Sequence, residues 1–339
     1  MDSDFDVNKE KLKKAWDTDF VKSVEPTDLP AVKGYDFSQK FDFEKFLESY
    51  GTTGIQATNL WKAVETVRKM RKEKAKIFLA YNSNMVSSGL REIIAYLVKR
   101  HYVNALITTV GGVEEDILKT IKPFLVGDFK KIDGKTLRKN GVNRIGNIYV
   151  PNDRYIEFEK LMNQFLQKLF VKQKETGRII TASEFIYELG KEVNDENSIY
   201  YWATRNNIPV FCPALTDGSI GDMIYFFKQA RKENMDFKVD ISDDMVKLVN
   251  MVINADKTGV IVLGGGFVKH HIMGANLFRD GAEYVVYVSL ESEEGGSDSQ
   301  AKPDEAVAWG KIKADSEAVK VYADATIVFP LIVAAAFKD

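Results

Sequence analysis

The chain has 339 residues, of which 45% are hydrophobic and 28% charged, and its formal net charge is −2. These values are typical of a globular protein that buries a substantial core, and they exclude the positive field that binding of nucleic acid or an anionic membrane requires. A lone cysteine, Cys212, excludes an intramolecular disulfide.

The two ends of the chain contain no targeting or membrane-spanning signal. The N-terminus MDSDFDV is acidic and lacks the basic and apolar regions of a signal peptide. The longest apolar run, ATIVFPLIVAAAF, contains a proline and is shorter than the ~17–25 residues that span a bilayer. The sequence therefore predicts a soluble, cytoplasmic protein that binds neither membrane nor nucleic acid.

Residues 1–33 form a charged N-terminal extension. Its stretch VNKEKLKKAWDTDFVKSV predicts a short helix, on which Leu12, Trp16 and Phe20 recur every four positions as a stripe that could dock on another surface. The following EPTDLPAVKG, with two prolines, indicates a linker. No second linker or repeat follows, so residues 34–339 are predicted to form a single domain.

Apolar runs typical of buried parallel strands recur along this domain. They are KIFLAY (76–81), NALITTV (104–110), IPVFCPAL (208–215), GVIVLGGG (259–266), YVVYVSL (284–290) and VKVYAD (319–324).

Helical patterns lie between most of these strands. Ser242 is a suitable N-cap for the helix in SDDMVKLVNMVINAD, and Thr181 with Glu184 has the spacing of a capping box. The alternation predicts an α/β fold: a doubly wound, mostly parallel, Rossmann-like sheet with helices on both faces. The charged stretch from about 151 to 200 is predicted to be a helical insertion packed on that sheet.

Polar and glycine-rich stretches follow the predicted strands. They are NSNMVSSG, GGVEED, TDGSIGD, GGGFVKHH and ADAT. Because sheets of this kind bind ligands outside the carboxyl ends of their strands, these stretches predict a binding site.

Each stretch allows a functional and a structural interpretation. Gly264–Gly266 could cradle a diphosphate or form a bare tight turn, and they do not match GxGxxG. Glu114, Glu115 and Asp116 could bind ribose hydroxyls or interact with a helix dipole. His270 and His271 could accept a proton or be structural. Without a further Cys or His cluster, no metal site is expected.

Acidic residues accumulate near the predicted strand ends. A cleft lined by such carboxylates favours a cation, either Mg²⁺ or an organic polyamine. Trp309 favours the amine, because an aromatic face attracts an ammonium or alkyl chain. The acids concerned are Asp217, Asp222, Asp298, Glu305 and Asp324.

Lys311 lies two residues after Trp309. A lysine attacks an imine only as the neutral amine, whereas a free lysine side chain has a pKa of about 10.4. Burial or a neighbouring cation favours the neutral form, and carboxylates oppose it unless a cationic ligand neutralises them. The residues alone leave two interpretations open: a nucleophile, or a surface cation paired with Glu305.

A series of motifs from Gly34 to near the C-terminus resembles deoxyhypusine synthase. The motifs are GYDF (34–37), GTTGIQATNL (51–60), SNMVSSGLRE (83–92), TTVGGVEED (108–116), NGVNRIGN (140–147), PALTDGSIGDM (213–223), LGGGFVKHH (263–271), GSDSQAKPDEAVAWGKIK (296–313) and KVYADATIVFP (320–330).

The resemblance implies an NAD-dependent aminobutyl transfer. NAD takes a hydride from spermidine, and Lys311 attacks the resulting imine and releases 1,3-diaminopropane. The aminobutyl group then passes to one lysine of the translation initiation factor 5A precursor, where NADH reduces the imine to deoxyhypusine. The resemblance also implies a homotetramer, a dimer of dimers with active sites at subunit interfaces. In relatives an N-terminal helix covers a neighbour's active-site entrance, as the stripe Leu12, Trp16, Phe20 could here.

Site residues carry over motif by motif. Lys311 is implied as the nucleophile, with His270 assisting at the oxidised amine. Spermidine contacts are implied for Asp222, Asp298, Glu305, Trp309 and Tyr287. NAD contacts are implied for Ser83, Asn84, Ser87, Thr109, Gly111, Glu114, Glu115, Asp217, Gly265, Gly266, Ser297 and Asp324.

One position departs from the family's pattern. Gly274 stands where the family has an asparagine that contacts spermidine, and Asn276 or water could replace that contact.

Three other functions are alternatives to this one. Homospermidine synthase resembles this family closely but uses putrescine as acceptor. An inactive, NAD-binding regulatory subunit is disfavoured because Lys311, Trp309 and His270 are retained. A generic NAD dehydrogenase would need no lysine nucleophile and would not explain the acidic cleft.

Overall fold

The structure is a computed structural model that describes residues 7–293, 296–298 and 300–338. The strands are β1 (Lys76–Tyr81), β2 (Ala105–Thr108), β3 (Leu125–Val126), β4 (Val142–Ile145), β5 (Ile148–Pro151), β6 (Ile180–Thr181), β7 (Val210–Phe211), β8 (Val239–Asp240), β9 (Thr258–Leu263), β10 (Ala282–Ser289) and β11 (Ile312–Tyr322).

Helices connect these strands. They are α1 (Lys9–Asp19), α2 (Phe43–Glu48), α3 (Tyr50–Thr53), α4 (Ile55–Lys72), α5 (Ser83–Ser87), α6 (Leu90–Lys99), α7 (Val110–Ile121), α8 (Gly134–Lys139), α9 (Asp153–Thr176), α10 (Ala182–Lys191), α11 (Ile199–Arg205), α12 (Ser219–Ala230), α13 (Ser242–Ile253), α14 (Gly266–Asn276), α15 (Pro303–Ala308) and α16 (Ala325–Ala336). Short 3₁₀ helices occupy Lys232–Asp236 and Leu277–Arg279.

The central sheet has the order β11-β10-β9-β1-β2-β7, and all its pairings are parallel. The chain starts at β1, proceeds outward through β2 to β7, then returns to place β9 on the other side of β1. This reversal is the switch point of a doubly wound sheet, the place where such folds bind ligands. The predicted fold class is thus confirmed.

The strands of this sheet coincide with the six predicted runs, but their lengths differ. The third is only Val210–Phe211, and the last begins already at Ile312. Pairing to β2 extends over just two positions, which ends β7 early.

Alternating side chains of the sheet enter two separate cores. In β1, Ile77, Leu79 and Tyr81 face one core, whereas Phe78 and Ala80 face the other. The first core is covered by helices that include α4, α6, α7 and α16, and the second by α13, α14 and α15. Because both faces are covered, the strands read as continuous apolar runs.

The two predicted helix starts had different outcomes. Thr181 and Glu184 form the expected capping box at the start of α10. The prediction that Ser242 is an N-cap is wrong, because Ser242 is already helical. Its backbone N–H and that of Asp243 donate to the Asp240 carboxylate at 2.9 and 3.1 Å. Asp240, two residues upstream, is thus the side chain that satisfies these free amides.

The N-terminal extension contains the predicted helix, α1, whose stripe is exposed to solvent. Leu12, Trp16 and Phe20 are 58%, 64% and 61% exposed, and the last two rings lie 4.5 Å apart. Residues 151–200 contain α9, α10 and the start of α11. Within the described residues, no helix combines the length and apolarity needed to cross a membrane.

Candidate active site

The carboxyl ends of β1 and β2 bring five of the predicted nucleotide-binding residues together. The backbone N–H of Ser83 donates to Thr109 Oγ1 at 3.1 Å, and the Ser87 hydroxyl donates to the Glu115 carboxylate. A Cβ added at Gly111 would lie 2.7 Å from the Cβ of Ser83, so only glycine allows this approach of α5 to α7. These contacts hold polar residues of α5 and α7 together at the carboxyl edge of the sheet.

The three acids of α7 have different surroundings. Glu114 accepts a hydrogen bond from the backbone N–H of Ile220 at 2.9 Å, and burial raises the pKa of Glu114. Burial also raises the pKa of Glu115, to about 8. Asp116 is fully buried and accepts from Arg91 Nε at 2.6 Å and from the backbone N–H of Ile199 at 3.1 Å. Asp116 is therefore a structural residue, whereas the roles of the other two acids as ligand contacts stay predictions.

Substitution of Glu115 by glutamine is expected to change how stability depends on pH. Because the carboxyl is ionised in the unfolded chain above about pH 4.5 but stays protonated in the folded protein up to about 8, wild-type stability falls as pH rises through that window. The loss should reach a few kcal/mol relative to Glu115→Gln, which cannot ionise. Denaturant unfolding of both proteins at pH 5 and pH 8.5 measures this difference in the free energy of unfolding. An equal pH response in the two proteins would show that Glu115 ionises normally.

Glycines form the turn at the switch point between β1 and β9. Gly264 has φ +90°, and a Cβ there would lie 2.8 Å from the Asn82 side-chain amide. Gly265 then precedes α14, whose first residue is Gly266. The free backbone N–H groups of a helix start favour an anionic group such as a diphosphate.

A cavity of about 510 Å³ opens beside α5. Asn84 and Ser87 line one side, and Asp324, which caps α16, lines another. The rest of the wall is formed by residues 124–126 and 145–148, with Ser88, Gly89, Lys119 and Thr326. One carboxylate, two amides and several hydroxyls around this cavity fit a polar ligand such as a nucleotide cofactor, as the resemblance implies.

Lys311 lies in the turn between α15 and β11 and is buried. Its side chain is 10% exposed, and its Nζ lies 3.2 Å from Asp298 Oδ1 and 5.7 Å from the centre of the Trp309 ring. Glu305 is exposed in the first turn of α15. The alternative of a surface cation paired with Glu305 is therefore wrong, since burial and Asp298 determine the setting of Lys311.

Two buried polar atoms, one of them on the partner of Lys311, lack hydrogen-bond partners in the described part of the chain. They are Asp298 Oδ2 and the hydroxyl oxygen of Tyr287. Burial, together with the charge of Asp298, raises the pKa of Tyr287 well above its ordinary value. Because buried polar groups without partners are costly, these atoms indicate a site for a ligand that donates hydrogen bonds.

Lys269 is a functional candidate that the sequence reasoning missed. It is 2% exposed on α14, and its Nζ lies 4.3 Å from the centre of the Tyr287 ring. Burial lowers its pKa to about 8. The available signal was its place among Val268, Ile272 and Met273, all buried on the same helix, where a lysine is unusual.

The structure does not bring every predicted residue to Lys311. Asp217 and Asp222 are exposed beside the start of α12, and His270 is exposed on α14. Between these residues and Lys311 no hydrogen bond or ion pair occurs in residues 7–293, 296–298 and 300–338. Burial lowers the pKa of the neighbouring His271. Within the described part of one chain, these three predicted residues therefore make no polar contact with Lys311.

Gly274 and Ser297 lie at the edges of this region. A Cβ added at Gly274 would meet no atom within 4 Å, so the departure from the family's asparagine leaves open space there. Ser297 adjoins Asp298, and its carbonyl accepts from the backbone N–H of Gln300 at 2.9 Å.

The sequence model of the family described as deoxyhypusine synthase matches residues 45–336. A Pyrococcus furiosus protein named probable deoxyhypusine synthase is 49% identical over 92% of this chain and 96% of its own length. Its counterpart of the same name in Schizosaccharomyces pombe is 48% identical, covering 95% and 98%. The crystal structure of a candidate deoxyhypusine synthase from Entamoeba histolytica superimposes with a TM-score of 0.63 at 30% identity, covering 90% of this chain and 96% of that one. This chain is therefore an enzyme of the deoxyhypusine synthase family.

Proposed function

We propose that the protein transfers the 4-aminobutyl group of spermidine to one lysine of the translation initiation factor 5A precursor and forms deoxyhypusine through an imine on Lys311. One observation supports this assignment above the rest: a buried lysine faces an aspartate, Asp298, whose second oxygen has no partner. A buried lysine beside an unfilled acceptor suits covalent chemistry on a cationic substrate.

Spermidine would bind in contact with this acceptor. One of its ammonium groups would donate to Asp298 Oδ2 and to the Tyr287 hydroxyl, the two buried atoms without partners. The Trp309 ring, 65% exposed, would cover the alkyl chain. Glu305 and Asp222, both exposed, would provide carboxylates for the remaining amine groups.

NAD would occupy the cavity of about 510 Å³ beside α5. Its proposed contacts are the NAD-binding residues that the sequence motifs predict. Ser83 is the first of these residues along the chain and Asp324 is the last. Bound NAD would accept a hydride from spermidine and return it after transfer. The polar side chains of Asn84, Ser87 and Asp324, which line this cavity, support the placement.

Lys311 would carry the aminobutyl group between donor and acceptor. Its neutral amine adds to the imine carbon of oxidised spermidine, and the bond from that carbon to the secondary nitrogen breaks. The electron pair and a proton leave with 1,3-diaminopropane, so the new imine joins the carbon to Lys311. The acceptor lysine then adds to the same carbon and expels Lys311. His270 would transfer protons at the amine nitrogen.

We also propose a homotetramer, a dimer of dimers, with active sites at subunit interfaces. Phe267, Leu277 and Phe278 at α14 and the adjoining 3₁₀ helix are about half exposed or more, and Trp309 lies exposed as well. Exposed apolar surface of this kind is typical of protein–protein contact. A second chain would also provide site residues that make no polar contact with Lys311 within one chain. The exposed stripe of α1 could cover the entrance of a neighbouring site, and the assembly is expected in the cytoplasm.

Transfer of labelled aminobutyl group from spermidine tests this function. Enzyme and NAD are offered the translation factor precursor and putrescine together. Label on the precursor protein, dependent on NAD, is the expected result. Label on putrescine alone would contradict the proposed acceptor and identify a homospermidine synthase. No label on either acceptor, from folded protein, would contradict the assignment of an active enzyme.

A further inference from the structure

A pair of buried lysines holds the turn that presents Asp298 to Lys311. Lys269 Nζ donates to the backbone carbonyl of Asp298 at 2.5 Å and to that of Ala301 at 3.0 Å. Lys320 Nζ donates to the carbonyl of Gln300 at 2.6 Å and to that of Glu291 at 3.1 Å. Three carbonyls of one short turn are therefore bound by ammonium groups from outside it.

The two lysines belong to a helix and a strand outside the turn. Lys269 lies on α14 and is 2% exposed, and the side chain of Lys320, on β11, is 7% exposed. Both of these hydrogen-bond acceptors of Lys269 are backbone carbonyl oxygens, so its ammonium binds the main chain of the turn. Burying an ammonium is costly unless it is well bonded. The Tyr287 ring, 4.3 Å below it, adds a cation–aromatic contact.

The position of Asp298 depends on this turn. Its Oδ1 lies 3.2 Å from Lys311 Nζ, and its Oδ2 is the buried acceptor without a partner. A displacement of about 1 Å in such a group can reduce a reaction rate on the order of a hundredfold. We propose that Lys269 is a positioning residue that, together with Lys320, fixes this turn so that Asp298 faces Lys311 and the substrate amine. The proposal rests on the proposed role of Lys311 as nucleophile.

Lys269→Met tests the proposal in the full-length enzyme with NAD and labelled spermidine. Methionine has nearly the same length but cannot donate a hydrogen bond. The rate at which reducible label appears on Lys311 should fall by about 10- to 100-fold, while the dissociation constant of NAD stays unchanged. Lys269→Arg, which can still donate to two carbonyls, should recover part of the rate. Lys168→Met, which removes an exposed lysine paired with Glu192 on the surface, is the control and should match wild type.

Hydrogen exchange separates positioning from a general loss of structure. In Lys269→Met, peptides that contain Asp298 and Ala301 should exchange faster, whereas peptides of β1 and β9 should not change. A variant that keeps the wild-type labelling rate overturns the proposal. A slower rate with unchanged exchange around Asp298 also overturns it.

Two further readouts keep the test decisive. If Lys269→Met does not fold, Lys269→Gln, which keeps a shorter donor without charge, replaces it, and wild-type rate and exchange in that variant overturn the proposal. If wild-type enzyme itself never forms a label on Lys311, the proposed function fails. The exchange measurement then still decides whether Lys269 holds the turn.

Discussion

Lys311→Arg is expected to stop aminobutyl transfer, with a rate loss of about a thousandfold or more. Arginine is slightly longer than lysine and keeps the positive charge beside Asp298, but its guanidinium is never neutral at accessible pH and cannot attack an imine. NAD binding should persist, because the cavity proposed for NAD is not lined by Lys311. Single-turnover transfer and NAD titration on the same preparation measure both quantities.

Lys313→Arg is the matched control for this variant. Lys313 lies two residues further along, its side chain is 32% exposed, and it pairs with Glu283 at 2.7 Å. Arginine preserves that pair, so transfer should stay close to wild type. Normal transfer by Lys311→Arg would refute the nucleophile assignment. An equal loss of transfer rate in both variants would show that arginine disturbs the start of β11, and that the missing amine of Lys311 is not the cause.

Asp298→Asn is the second substitution with a large expected effect. It replaces a carboxylate that is bonded to a buried ammonium and offers a free oxygen to the substrate. Removing one member of a buried charge pair weakens binding by about 2–5 kcal/mol. If the transition state loses the same free energy, kcat/KM falls at least about thirtyfold. The KM for spermidine should rise, because the amide is neutral and no longer attracts an ammonium. Steady-state kinetics with spermidine varied at saturating NAD measures both constants.

Asp304→Asn is the comparison for the aspartate variant. Asp304 is exposed in the first turn of α15 and belongs to the same acidic segment of the sequence. Its loss should change the kinetics little, because exposed charges are screened by solvent. If Asp298→Asn retained wild-type kcat/KM, the unpartnered oxygen would not be a substrate contact.

The central sheet was predictable because its signal is local. Parallel strands covered on both faces read as unbroken apolar runs, and KIFLAY became β1 at both predicted boundaries. Strand ends that depend on a neighbour were less predictable. Val210–Phe211 is short because only two positions pair with β2. Ser242 failed as a cap because Asp240 competes for the same amides.

The site was predictable where its residues lie in motifs that directly follow adjacent strands of the sheet. Ser83, Ser87 and Glu115 meet because adjacent parallel strands end at the same edge. Lys269 could not be assigned, because a lysine in a helical pattern is ordinarily solvent-exposed and its partners are backbone carbonyls about thirty residues away. Backbone acceptors leave no trace in the amino-acid sequence. That Asp298, rather than Asp222, pairs with Lys311 likewise depends on the tertiary fold.

The most direct test of the proposed mechanism is to identify the residue that holds the aminobutyl group. Enzyme is incubated with NAD and labelled spermidine without acceptor, reduced with borohydride, digested and mapped by mass spectrometry. A single aminobutyl group on Lys311, absent when NAD is omitted, is the predicted result. Label on Lys269 or another lysine, or transfer to the precursor protein with no trapped adduct on the enzyme, would contradict an imine on Lys311.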